Sequence, residues 1–184
     1  FDLAGFIIGG VEKDEIITGK TITAGDAVLG MPSSGLHTNG YTLARKIFGE
    51  TRQMLAKRYP ELGSKTIGEV LLEPHRSYYP ALKPVLPLIK GMAHITGGGF
   101  IDNVPRILPE GLAIRFDSKS WTVPPIFSLI QKMGNVSRQE MYHVFNMGIG
   151  MVVVCAPENV GRIKQELPEI LLIGEVIRQG RNPR

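Results

Sequence analysis

The 184-residue chain is 43% hydrophobic and 21% charged, the balance of a folded protein with a real core, as one domain or one domain with a small attachment. A net charge of +4 and an isoelectric point near 9.3 come from scattered Lys and Arg, with no basic block or interleaved aromatics, so nucleic acid is not expected and a phosphorylated small molecule fits as well. The single Cys155 excludes an intrachain disulfide and fits a reducing, cytoplasmic setting, and no apolar run or signal-peptide pattern points to a membrane.

In chain order, residues 6–11 are apolar and predict a strand. Residues 12–25 are polar, with Ile16, Ile17 and Ile22 giving short β character to a hairpin or loop. The run 27–31 predicts a short buried strand, and Leu43, Ala44, Ile47 and Phe48 at helical spacing predict a helix over about 39–48. Residues 50–63 are a charged excursion ended by Pro60 and Gly63. Thr66 followed by Glu69 has the spacing of a capping box before a short helix. A proline-bounded loop covers 73–80, and a helix over 81–90 is expected despite Pro84 and Pro87. A strand over 92–96 runs into three glycines, followed by a helix over 102–108 and a strand over 112–117. Two helices (124–133 and 137–145) meet at Gly134-Asn135. The run 148–156 is the most β-like in the chain and makes Cys155 a buried small hydrophobe. A helix over 158–167 and strands over 170–173 and 175–178 close the sequence. The fold class expected is α+β, with helices packed on a mixed sheet.

Two loops carry chemistry. The first is Ser33-Ser34-Gly35-Leu36-His37-Thr38-Asn39-Gly40, between a strand and a helix. Hydroxyls, an amide and two glycines ahead of a helix N-terminus suit an anion, and His37 sits where it would touch that anion. A plain turn with an Asn or Thr cap is the alternative. The second is His94-Ile95-Thr96-Gly97-Gly98-Gly99, with Arg106 downstream to offer a planar cation. Three glycines are costly in chain entropy unless the backbone approaches something closely, or simply turns there. The two loops are expected to face each other across one cleft. Neither is a Walker A nor a dinucleotide fingerprint. His37, His75, His94 and His143 lie far apart along the chain with no ligand spacing, so no metal site is expected. His94 is the acid–base candidate, while His75 and His143 read as surface or interface residues.

These loops, together with Asn103-Val104-Pro105-Arg106-Ile107-Leu108-Pro109, Phe145-Asn146-Met147-Gly148-Ile149-Gly150-Met151 and the opening Asp2-Leu3-Ala4-Gly5-Phe6, resemble the phosphoribosylformylglycinamidine cyclo-ligase (aminoimidazole ribonucleotide synthetase) family over nearly the whole chain. Formylglycinamidine ribonucleotide synthetase and thiamine monophosphate kinase share looser versions of the loops, and a non-catalytic phosphate-binding module is a further alternative. The resemblance implies a C-terminal domain over 26–184, similar to that family's C-terminal α+β domain. Residues 1–25 would be a connecting strand and loop of an N-terminal domain not contained in this sequence. The start at Phe1, without Met and inside an apolar run, reads as a cut through a larger protein. The implied reaction is ATP-dependent ring closure in purine biosynthesis: the substrate's amide oxygen is phosphorylated, an amidine nitrogen attacks that carbon, and phosphate leaves. ATP and Mg²⁺ would be bound mainly by the other domain, none by this chain alone, in a homodimer. His94 and Asn39 are implied as catalytic. Ser33, Ser34, Gly35, His37, Thr38, Gly40, Thr96, Gly97, Gly98, Gly99 and Arg106 are implied to bind substrate.

Overall fold

The computed structural model describes residues 4–180. Asp2 and Leu3 of the opening motif lie outside them. Five strands form one sheet in the order β2–β4–β1–β5–β3: β1 Ala27–Pro32, β2 Ile89–His94, β3 Leu112–Phe116, β4 Ile149–Cys155 and β5 Leu171–Arg178. The class is α+β as expected. The pairings, expected to be mixed, are all antiparallel.

β1 and β4 are central, paired from Ala27↔Cys155 to Met31↔Met151, and covered on both faces. Val28, Val152 and Val154 face one core, whereas Leu29, Met31, Val153 and Cys155 face the other. Double coverage explains why both strands read as continuous apolar runs and not as alternating ones. Burial also pushes the Cys155 thiol up to about 11, consistent with a packing role. The first face is covered by α1 Tyr41–Phe48, α3 Ile67–Leu71, α5 Gly99–Asn103, α6 Pro125–Gly134 and α7 Arg138–Val144. The second face is covered by α4 Tyr79–Leu82, the 3-10 turns Lys83–Leu88 and α8 Val160–Glu166. A short α2, Arg52–Leu55, lies in the charged excursion. The capping box at α3 forms as read, with Thr66 accepting from the Glu69 amide and Glu69 from the Thr66 amide. No helix among the described residues is long and apolar enough to cross a membrane.

Five expectations are corrected. Residues 6–11 form no strand: Phe6, Ile7 and Ile8 are 96–99% exposed, because none of the described strands pairs with them. No hairpin forms over 12–25, although Ile22 is buried and the Gly19 amide donates to the Lys90 carbonyl at 3.1 Å. The helix expected over 81–90 is only α4. Pro84 and Pro87 supply no N–H, so the chain continues as 3-10 turns and β2 starts at Ile89. The helix near 102–108 begins earlier, at Gly99, and Pro105 opens a separate 3-10 turn, Pro105–Ile107. The two closing strands are one, β5, running through Gly174.

Candidate functional site

The loop after β1 is held from below by one buried asparagine. Asn146, 3% exposed, accepts from the Ser33 hydroxyl and the Gly148 amide, both at 2.9 Å. It also donates through Nδ2 to the Gly35 carbonyl at 2.8 Å. A second asparagine does the same for the other loop. Asn103, also buried, donates to the Gly97 and Gly99 carbonyls at 3.1 and 2.8 Å. Its Oδ1 accepts from the Thr96 hydroxyl at 3.4 Å and from Arg106 Nη1 at 3.2 Å. Asn146 reaches partners up to 113 residues away, so no local pattern marks it as a clamp, whereas every partner of Asn103 lies within seven residues of it.

The turn into α1 is sharp. His37 adopts φ 61° and Gly40 φ 79°, both left-handed. A Cβ at Gly40 would run into the Phe145 ring, so only glycine fits. Gly40 caps α1 with no side-chain acceptor. The Asn or Thr cap considered from sequence is therefore absent, and the first-turn N–H groups keep their partial positive charge. Thr38 is exposed and Asn39 half-buried.

The three glycines of the second loop separate by role. A Cβ on Gly99 would overlap the Tyr142 carbonyl oxygen of α7, and one on Gly98 would overlap Asp102. Those two allow the chain to turn and the helices to touch. Gly97 alone faces the first loop, where a Cβ would meet Asn39 Oδ1 at 3.4 Å. The structure thus brings Asn39 to Gly97, and His37 to His94 with ring centroids 6.3 Å apart. It does not bring the serine hydroxyls there. Ser33 is spent on Asn146, while Ser34 Oγ donates to the Pro74 carbonyl at 2.7 Å and accepts from the Arg76 amide at 3.3 Å. Ser33, Ser34 and Gly35 instead line a cavity of about 390 Å³ with Glu61, Lys65 and Glu73, to which residues 94–99 do not contribute. Arg106 is exposed and tied to Asn103, with no hydrogen bond to the first loop among the described residues.

The largest surprise is His75. The proline-bounded loop carries it onto His37, where the two rings stack at 3.9 Å and 10°. His75 Nε2 lies 3.2 Å from His94 Nε2, so one ring donates and the other accepts. Tyr78 walls the group, its hydroxyl donating to the Pro32 carbonyl at 3.0 Å, and burial raises its phenol. Gly150 on β4 makes room for both His37 and Tyr78. Arg76 lies over the Tyr78 ring and pairs with Glu169 at 3.1 Å. Burial first, then the like charges of His75, His94 and Arg76, lower His37 to about 4. Burial and His75 lower His94 also. Both rings are therefore neutral at pH 7. His143 stands apart on α7, 3.2 Å from Asp102 Oδ2.

The AIR synthase related protein, C-terminal domain family matches residues 23–182. A phosphoribosylformylglycinamidine cyclo-ligase of Bifidobacterium animalis subsp. lactis is 48% identical over 97% of this chain and 54% of its own length. The namesakes from a Thermoanaerobacter species and from Geobacillus thermodenitrificans are also 48% identical, over 96% of this chain and 54% and 53% of theirs. The chain thus spans about half the length of the curated relatives it matches. Among solved structures, a HypE–HypF complex aligns with TM-score 0.55 and 18% identity over 88% of this chain and 49% of that one. Escherichia coli HypE, a hydrogenase maturation protein, aligns with TM-score 0.52 and 20% identity over 88% and 46%. At that identity the likeness is one of fold. The strand–loop–helix frame, the two clamped loops and a match over most of the chain converge: this chain belongs to the AIR synthase related protein, C-terminal domain family.

Proposed function

We propose that the chain is the C-terminal part of an ATP-dependent cyclo-ligase, closing the imidazole ring of aminoimidazole ribonucleotide from formylglycinamidine ribonucleotide in purine biosynthesis. The observation that carries this reading is 48% identity along 97% of the chain to a relative of that name. In the proposed reaction the substrate's amide oxygen is phosphorylated, an amidine nitrogen bonds to the amide carbon, and phosphate departs with the former amide oxygen. The substrate's own phosphate would lie at the uncapped N-terminus of α1, beside Thr38, Asn39 and the Thr96–Gly97 turn. His94, neutral at pH 7, would take up a proton, and Asn39 would orient the reacting amide.

The residues here do not fit Mg²⁺–ATP. Mg²⁺ takes oxygen ligands, and the candidate metal-binding cluster among the described residues is all imidazole. We therefore assign ATP and Mg²⁺ to an N-terminal domain, with residues 1–25 as the connection to it and 26–184 as the substrate-side domain. The exposed apolar run at Phe6–Ile8 suits pairing with that domain. A homodimer and a cytoplasmic location complete the proposal, the latter in keeping with the one buried, free Cys155.

The test mixes this chain with the separately produced N-terminal half of the Bifidobacterium relative and follows phosphate release with formylglycinamidine ribonucleotide. Activity is expected only from the mixture. Thr38→Ala with Asn39→Ala should weaken substrate binding at least about tenfold, equivalent to roughly 1.4 kcal/mol. Turnover by this chain alone would overturn the division of labour, and unchanged affinity in the double variant would move the phosphate elsewhere.

A further inference from the structure

His37, His75 and His94 belong to three separate segments, the first loop, the proline-bounded loop and the end of β2, yet one ring nitrogen from each lies within 4.8 Å of the others. The geometry points to a binding site for a single borderline divalent cation, Zn²⁺, held by these three imidazoles with a further position open to water or a ligand oxygen.

Donor spacing is the first support. A tetrahedral zinc with bonds of about 2.0–2.1 Å places its nitrogens roughly 3.3–3.4 Å apart. The His75 Nε2 to His94 Nε2 separation of 3.2 Å is already close to that edge. The second support is an unmet nitrogen. His37 is 4% exposed; its Nε2 accepts from the Ser34 amide at 3.1 Å, while Nδ1 is sealed without any partner. A proton on Nδ1 has no acceptor, and a proton on Nε2 meets the Ser34 N–H. Neither neutral tautomer satisfies the ring, an uncommon state for a buried polar group. A cation on Nδ1 would give that nitrogen its missing partner, with the ring proton moving to Nε2 and the Ser34 amide turning outward.

Two features set the affinity. Lone pairs of parallel stacked rings cannot aim at one point, so His75, exposed on its loop, must tilt off His37 as the ion enters. No carboxylate joins the cluster and Arg76 lies nearby, its charge offset by Glu169. Micromolar binding is expected, weaker than that of a closed thiolate site. Sequence spacing argued against a metal because the histidines are far apart along the chain; the fold brings three of the four together.

The experiment uses the untagged 184-residue chain after chelator treatment, titrated with Co²⁺ alone and followed by its visible absorption, then displaced with Zn²⁺. One Co²⁺ per chain is expected, with affinity at least about tenfold weaker in His75→Ala and unchanged in His143→Ala. No saturation below about 1 mM, unchanged affinity in His75→Ala, or equal loss in His143→Ala would each overturn the site. If His75→Ala loses its circular-dichroism signature, paramagnetic broadening of ring protons in the unsubstituted chain decides the matter. Broadening at His37, His75 and His94 supports the site, and broadening confined to His143 refutes it. The readout is the metal alone, so this site stands or falls independently of the phosphate reading; an ion on His94 holds the lone pair that proton uptake needs, so metal binding and that proton transfer are alternative states of one ring.

Discussion

Replacing Asn146 by alanine tests whether the first loop is held by a single buried clamp. The substitution removes three hydrogen bonds at once, those to the Ser33 hydroxyl, the Gly148 amide and the Gly35 carbonyl. Ser33 is half-buried and recovers water, so its loss is small. The Gly148 N–H and Gly35 C=O are left in the interior, each costing about 1–3 kcal/mol, and a net loss of roughly 3–4 kcal/mol is expected. A domain of ordinary stability, about 5–15 kcal/mol, survives that. Trp121 is the chain's only tryptophan, and its indole N–H donates to the Met147 carbonyl at 3.0 Å, one residue from the clamp. Urea unfolding followed by its fluorescence therefore reads the site directly. Asn146→Asp adds a sharper test. The carboxylate still accepts but faces the Gly35 carbonyl with nothing to donate, so burial and that contact raise its folded-state pKa. A raised pKa means that stability is greatest below the unfolded value and falls as pH rises through the folded one. The aspartate variant should lose less, relative to the unsubstituted chain, at pH 5 than at pH 8. An alanine loss under about 1 kcal/mol, or a pH-independent aspartate penalty, would refute the clamp.

Gly99→Ala places a Cβ on the Tyr142 carbonyl at φ 56° and should cost about 2 kcal/mol or more in urea unfolding, whereas Gly97→Ala, with 3.4 Å to Asn39 Oδ1, should cost under about 1 kcal/mol. Equal losses would contradict the division of roles among the glycines. His37 should titrate near 4 by NMR; because its folded pKa lies below the unfolded 6.5, the unfolded chain binds the proton first and stability should fall as pH drops from 6.5 toward 4. An ordinary His37 titration near 6.5 would show the ring to be solvated. Without the proposed N-terminal domain the almost wholly exposed Phe6–Ile8 run should make the chain self-associate with concentration in sedimentation, and Ile7→Asp with Ile8→Asp should abolish it. Persistence of association in that variant would place the contact elsewhere.

Local signals in the sequence determined most elements. The apolar runs of β1 and β4, the helical spacing in α1, the Thr66–Glu69 cap and the Gly134-Asn135 break each act within a few residues, over which chain geometry is decided by the residues themselves. Asn135 indeed takes the left-handed conformation that ends α6. The loops' polar, glycine-rich character was legible for the same reason. What the tertiary structure decided concerns partners remote in sequence. Whether 6–11 is a strand depends on a ladder partner, and whether 81–90 stays helical depends on how two prolines are accommodated against the sheet. Ser33 and Ser34 looked available for a ligand, yet fold-level hydrogen bonds consume both hydroxyls. Asn146 became a clamp, and His75 joined His37 and His94, only because β1, β2 and β4 lie side by side in an order the chain does not follow, whereas the Asn103 clamp closes within seven residues. Spacing along a chain says nothing about distance once strands separated by dozens of residues are hydrogen-bonded neighbours.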